Sequence, residues 1–223
     1  MRELHFFDPN DEVLKCDRRL PHWAQAGVVC FITFRTHDSM PEATIQRFQA
    51  DRRHWLRCHN VDPDHGDWRQ KLQELKRADQ VEFYRDFSTR WHDSLDGCAG
   101  ECLLAKSELN KIVADSLLCF DGDRYEMTDF VVMPNHCHLL AAFQDGDQML
   151  AQCTSWKRFT ARRINETIGR QGSFWQQDGF DHLVRSQEQF QHFRRYIANN
   201  PKKAKLGPDE FSYYTALGPV FSK

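Results

Sequence analysis

The chain has 223 residues, 40% hydrophobic and 13% aromatic, with a formal charge of −2 at pH 7. That is enough apolar mass for a sizeable core, it offers no apolar run long enough to cross a membrane, and its net charge does not by itself mark a nucleic-acid binder. The opening residues, Met1 to Asp8, lack the charged-then-apolar layout of a secretion signal, so a cytoplasmic location is the expectation.

Residues 28–34 read as a buried first strand, rich in β-branched and aromatic side chains. Pro41 opens a helix to about Asn60, and a turn-rich loop follows over 61–67. A charged helical stretch runs from Trp68 to Ser94 with Leu72, Leu75, Val81, Phe83 and Phe87 along it, and 96–100 break it. Ser107 to Leu118 is a further amphipathic helix. Residues 124–133 and 136–143 look like an antiparallel strand pair joined near Pro134-Asn135. A helix from Asp147 to Ile168 comes next, then a strand over 174–184 interrupted at Asp178-Gly179. Ser186 and Gln189 resemble a capping box for a last helix to Asn199, which Pro201 stops. Residues 204–223 have no clear period and read as an irregular tail. This order points to an α+β fold: one domain over 1–223, an antiparallel sheet with helices packed on one face, and a helical insert at about 42–94. No Gly-rich loop follows a strand, so a Rossmann or P-loop nucleotide domain is not expected.

Eight cysteines, at 16, 30, 58, 98, 102, 119, 137 and 153, have irregular spacing and several lie in apolar runs. They read as reduced, mostly buried thiols rather than a disulfide framework. Cys98 and Cys102 lack the second close pair of a zinc site. Charge is unevenly spread. Between Ser155 and Lys205 stand eleven Lys or Arg against four Asp or Glu, so the rest of the chain carries the compensating negative excess. Lys157, Arg158, Arg162, Arg163, Arg195 and Lys202 are the candidates for phosphate contacts on one basic face, with solvated helix faces as the plain alternative.

The densest chemistry lies in Val132-Met133-Pro134-Asn135-His136-Cys137-His138-Leu139-Leu140. Side chains alternate along a strand, so His136 and His138 share a face and Cys137 points the other way. Two imidazoles side by side suit a divalent metal. Tyr196 and Asn200 lie four apart on the last helix, hence on one face. If that face covers the strand, two imidazoles, an amide oxygen and a phenol converge. Three neutral ligands leave positions open for water and phosphate oxygens, which suits Mg²⁺ or Mn²⁺. The phenol would attack the phosphate; a free tyrosine has a pKa of about 10, so it needs a helper that the residues do not identify. Tyr213 and Tyr214 are the rival nucleophiles, without a helix or an amide partner. His182 reads as a structural histidine, and His22 with Trp23 would either stack on a base or pack near the first strand.

These residues also carry a resemblance. Arg19-Leu20-Pro21-His22-Trp23, Phe31-Ile32-Thr33-Phe34-Arg35 and Ser39-Met40-Pro41 look like the opening of the REP-associated tyrosine transposases. Leu95-Asp96-Gly97, Val132 to Leu140, Trp156-Lys157-Arg158-Phe159-Thr160-Ala161, Phe174-Trp175-Gln176, Asp181-His182-Leu183-Val184-Arg185 and Tyr196 to Pro201 continue it in order. The resemblance spans most of the chain outside 42–94 and the tail. That family belongs to the HUH single-strand endonucleases, in which two histidines flank an apolar residue; Cys137 departs from the commoner Val or Ile. The resemblance implies a ferredoxin-like sandwich, with His136, His138 and Asn200 as metal ligands and Tyr196 as nucleophile. It also implies a metal-dependent endonuclease and strand transferase that cuts and joins single-stranded DNA at palindromic repeat hairpins through a 5′-phosphotyrosine. One catalytic tyrosine holds one covalent strand at a time, and neither a monomer nor a homodimer is favoured. The alternatives are a hairpin-binding protein derived from such an enzyme that does not cleave, and a metal phosphodiesterase that uses water.

Overall fold

The computed structural model describes residues 4–11, 14–17, 21–177, 179–218 and 220, without the side chains of 14–17, 21–24 and 180. The expectations for Arg19, Leu20 and Asp178, and for the side chains of His22 and Trp23, lie outside the described residues. In chain order the elements are β1 (Leu14–Asp17), β2 (Pro21–Ala24), β3 (Val29–Arg35), α1 (Glu42–Cys58), α2 (Trp68–Glu74), α3 (Arg77–Asp96), α4 (Ser107–Leu118), β4 (Tyr125–Val132), β5 (His136–Phe143), α5 (Gly146–Ile168), β6 (Phe180–Leu183), α6 (Gln187–Lys203) and β7 (Ser212–Thr215). They divide into two units: Met40–Gly100, which holds α1 to α3, and Met1–Ser39 with Glu101–Lys223, which holds the rest.

In the larger unit β1 and β2 form a two-stranded antiparallel ribbon, and the other five strands form one antiparallel sheet in the order β6-β3-β5-β4-β7. The run β3, α4, β4, β5, α5, β6 with spatial order β6-β3-β5-β4 is the ferredoxin-like arrangement. β3 sits inside the sheet and every residue of it is buried, which is why its sequence is a continuous apolar run rather than an alternation. Its two faces still differ. Cys30, Ile32 and Phe34 face the core built with Leu109, Val113 and Leu117 of α4 and Met149, Trp156 and Ile164 of α5. Val29 and Phe31 face a second core with Phe190 and Ile197 of α6. The sheet is therefore covered on both faces, not on one as the strand order alone suggested.

A β-bulge in β4 between Met127 and Asp129 shifts the alternation. Tyr125 and Met127 point to the α4/α5 core, and so do Phe130 and Val132 beyond the bulge. Asp129 is thereby turned to the α6 side, where Val131 and Met133 also point. α5 opens with the Asp145 carboxylate accepting from the Gln148 N–H at 2.7 Å and closes on Gly169, whose φ of 66° is the left-handed conformation that ends helices. Ser186 caps α6, accepting from the Gln189 N–H at 3.2 Å.

Three expectations change. α6 runs through Pro201 to Lys203, because Ala204, Lys205 and Leu206 donate to the carbonyls of Asn200, Lys202 and Pro201 and close the last turn without the missing N–H. The tail supplies a strand, β7, whose Tyr214 stacks on Phe130 at 5.3 Å. The stretch 68–94 is two helices: Leu75 and Lys76 are extended, and the Gln80 side-chain amide takes the Gln73 and Leu75 carbonyls that a continuous helix would use.

The Met40–Gly100 unit has its own small core of Leu56, Val61, Leu72, Phe83 and Phe87, with Phe48 and Trp55 packed against it. Phe48 meets Phe87 at 5.5 Å and Trp55 meets Phe83 at 4.9 Å, which ties α1 to α3. The seven cysteines whose side chains are described are free, but only Cys30 and Cys137 are buried; Cys58 and Cys119 are exposed, so the expectation of mostly buried thiols does not hold among them.

Candidate active site

The β4–β5 connection is a two-residue turn, Pro134-Asn135, with the Met133 N–H donating to the His136 carbonyl at 2.8 Å. Asn110 of α4 holds its base by donating to the Leu104 and Val132 carbonyls, at 3.0 and 3.1 Å. From this fixed turn β5 leaves with His136 and His138 on the α6 side and Cys137 in the core on the other. Both imidazoles are fully buried, with ring centroids 4.6 Å apart.

Each ring is oriented through its Nδ1. The Asn135 side-chain oxygen lies 2.7 Å from His136 Nδ1. An amide oxygen only accepts, so that Nδ1 carries the proton and Nε2 is the lone-pair nitrogen. Thr33 lies opposite His138 in the β3–β5 register, with its hydroxyl 2.7 Å from His138 Nδ1. Gly179 approaches the same stretch of β3 so closely that a Cβ there would meet the Thr33 carbonyl at 2.9 Å. Phe31, two residues before Thr33, stacks on the His138 ring at 5.3 Å and on Phe193 of α6 at 4.3 Å. Each ring thus has an Nδ1 partner that orients it, the usual way in which proteins prepare histidines for a metal. Two buried imidazoles with this donor set fit a divalent cation.

α6 brings the phenol to them. Tyr196, half-buried, places its hydroxyl 3.2 Å from His138 Nε2, and the two rings are 5.1 Å apart. Asn200 is one turn further along and is 1% exposed, on the face that also buries Ile197 and Pro201. α6 is clamped to the sheet by an ion pair at Arg194, whose Nε sits 3.1 and 2.9 Å from the two Asp129 oxygens. The same guanidinium donates to the Thr215 hydroxyl and the Gly218 carbonyl, at 3.0 and 2.9 Å. Helix, bulged strand and C-terminal strand are thus joined at one cation. Burial pushes the Asp129 carboxyl above its ordinary range even with that cation against it.

Sequence reasoning brought forward His136, His138, Tyr196 and Asn200. It did not single out Thr33, Asn135, Asp129 or Arg194. Thr33 left a trace, as a hydroxyl inside the apolar run 28–34; the Asp129–Arg194 pair spans sixty-five positions and left none. His182 has the Gln189 amide nitrogen 2.9 Å from its Nε2, and burial, then the charge of Arg185, lowers its pKa. Tyr213 and Tyr214 lie on β7, at the opposite edge of the sheet from β6.

The six candidate phosphate-binding residues do not share one face. Lys157, Arg158, Arg162 and Arg163 are on α5, whereas Arg195 and Lys202 are on α6 across the sheet. Lys157 is half-buried and donates to the Gln177 carbonyl at 2.6 Å, and Arg162 and Arg163 both reach Glu166, at 3.8 and 3.5 Å. Arg158, Arg195 and Lys202 are exposed. No helix among the described residues is long and apolar enough to cross a membrane.

Residues 106–200, from α4 through most of α6, match the model of the family described as "Transposase IS200 like". That segment contains both imidazoles, the phenol and Asn200, and over it the chain has the pattern of the IS200-like transposases. No curated protein matches the chain. A solved structure described as "Structure of the REP associates tyrosine transposase bound to a REP hairpin" is 14% identical, covering 91% of this chain and 92% of that one, with a TM-score of 0.41.

Proposed function

We propose that this chain is a metal-dependent single-stranded DNA endonuclease and strand transferase, acting at REP-type hairpins through a covalent 5′-phosphotyrosine on Tyr196. The observation that carries the reading is the Tyr196 hydroxyl 3.2 Å from His138 Nε2, beside a second buried imidazole, in a segment that matches a transposase family. His136, His138 and Asn200 would hold Mg²⁺ or Mn²⁺, which when bound supplies positive charge to the oxygens of the scissile phosphate.

The remaining work falls to the chain's own groups. Asn135 and Thr33 fix the two rings, so the site pays little reorganisation as the phosphate arrives. The Tyr196 oxygen attacks phosphorus in line, the bond to the 3′ oxygen breaks, and the phenolic proton is balanced by the one the 3′-hydroxyl gains. The 5′-phosphate stays on the enzyme. The new ester keeps the energy of the broken diester, so a 3′-hydroxyl can reverse the step without a nucleotide cofactor. The hairpin supplies shape and phosphates, and base choice falls to unpaired nucleotides beside it.

Incubation with hairpin-bearing single-stranded DNA and Mn²⁺ should give a covalent adduct on a denaturing gel. Tyr196→Phe should abolish the adduct and leave binding nearly unchanged. Binding without an adduct from the unsubstituted chain would favour a DNA-binding protein that does not cleave. Cleavage that survives Tyr196→Phe would favour a phosphodiesterase that uses water.

A further inference from the structure

In the Met40–Gly100 unit three carboxylates around α1 and α2 are already paired with cations. Arg53 and Arg57 share Asp64, at 2.5 and 3.2 Å. Asp67 is taken by His65 and Lys71, at 2.5 and 3.5 Å, and Asp51 by Arg90. Arg52 and Arg69 stand apart from these pairs, together on one aromatic ring. Both guanidiniums lie over the ring of Trp68, at 5.5 and 4.7 Å from its centroid, and neither has a carboxylate within ion-pair distance among the described residues. Arg52 Nε is buried without a hydrogen-bond acceptor. Burial, then Arg69, then Arg53 lower the Arg52 pKa, the sign of a cation kept against like charge.

A buried donor without an acceptor is costly, and two like charges on one indole repel. The second cost falls if an anion with several oxygens binds the two guanidiniums together. Planar forks of N–H groups match phosphate oxygens in pairs, and the indole holds the forks by cation–π contact. Two cations suit successive phosphates of a backbone better than a single carboxylate.

We infer that this unit carries a phosphate-binding site of its own, in which Arg52 and Arg69, held on Trp68, grip the phosphodiester backbone of the DNA. The choice of DNA as the source of the phosphate rests on the proposed function; the site itself uses none of the residues assigned to strand cleavage. It gives the helical insert a task that the basic residues of α5 and α6 do not cover.

The test uses the full chain and a fluorescent hairpin oligonucleotide in EDTA, so that binding is read without cleavage. R52Q/R69Q should weaken binding about tenfold near 0.1 M salt and reduce the slope of log affinity against log salt by about two, one per lost phosphate contact. R69Q alone, at an exposed position that cannot endanger the fold, should reduce it by about one. R52K/R69K, which keeps both charges but not the planar forks, should keep the salt slope near the wild-type value and recover only part of the affinity. An unchanged slope in R69Q and in R52Q/R69Q overturns the inference. The adduct yield at saturating DNA should stay at the wild-type level in both variants. Failure of the unsubstituted chain to form any adduct would overturn the cleavage reading instead, and the slope comparison in EDTA would still decide this one.

Discussion

The two faces of β5 differ in kind. Toward α6 it presents His136 and His138, each held by a polar neighbour, with a phenol against His138. Toward α4 and α5 it presents Cys137, Leu139 and Ala141, all buried in an apolar core. Both faces exclude water, so burial alone does not make a site. What separates them is the supply of directed polar partners: Thr33 opposite, Asn135 adjacent and Tyr196 above on one side, and on the other a thiol that burial pushes up to about 12.

The contrast predicts where the chain is easiest to break. The α6 face depends on an ion pair buried at 7% and 0% side-chain exposure, and its carboxylate is held above its usual pKa by burial. Removing Arg194 would strand that carboxylate. Arg194→Met is therefore expected to cost about 3–5 kcal/mol, and the double change with Asp129→Leu to recover most of it, because an apolar pair leaves no orphaned charge. Guanidinium denaturation of the three proteins checks this. Equal destabilisation in the single and double variants would mean that the clamp acts through its further bonds to Thr215 and Gly218 rather than through the carboxylate.

A smaller effect is expected at Thr33. Thr33→Val keeps the shape and removes the hydroxyl from His138 Nδ1, so the ring loses its fixed orientation. Adduct formation should slow about 10- to 100-fold, for a stability loss of about 1 kcal/mol, while Thr33→Ser stays near the wild-type rate. Single-turnover adduct kinetics alongside urea unfolding separate the two readouts. If valine is as fast as threonine, Thr33 acts on His138 by packing alone and the two faces of β5 differ less in their polar support.

Much of this was legible in the chain because the signals were local. The run 28–34, the amphipathic helix at Ser107–Leu118 and the strand pair around Pro134-Asn135 each carry their own period or turn. The alternation in His136-Cys137-His138 placed the imidazoles on one face, and the four-residue spacing of Tyr196 and Asn200 placed both on one side of α6. What was illegible depended on distant partners. β7 is four residues long and is a strand only because β4 offers an edge. The bulge that turns Asp129 toward Arg194 has no glycine to announce it. The split into α2 and α3 has neither Pro nor Gly at Leu75-Lys76 and is set by the reach of the Gln80 amide. The basic third of the chain looked like one surface because charge was counted along the sequence, whereas α5 and α6 lie on opposite faces of the sheet.

The smallest effect is expected on the thiol face. Cys137 is an oxidisable group between two imidazoles in the sequence, and the strand turns it into the opposite core. With its thiol pushed up to about 12, the thiolate fraction at pH 8 is on the order of 10⁻⁴, and it is the thiolate that reacts. Brief alkylation of the native protein at pH 8 should therefore label Cys58 and Cys119, which are exposed, and leave Cys137 unlabelled until the chain unfolds. Cys137→Val, close in volume, should cost less than about 1.5 kcal/mol and leave adduct formation at the wild-type rate. Labelling of Cys137 as fast as Cys58, read by peptide mass mapping, would show that the core behind the imidazoles opens in the native state. The two faces of β5 would then not be separate environments, and the histidines would owe their order to something other than a closed sheet.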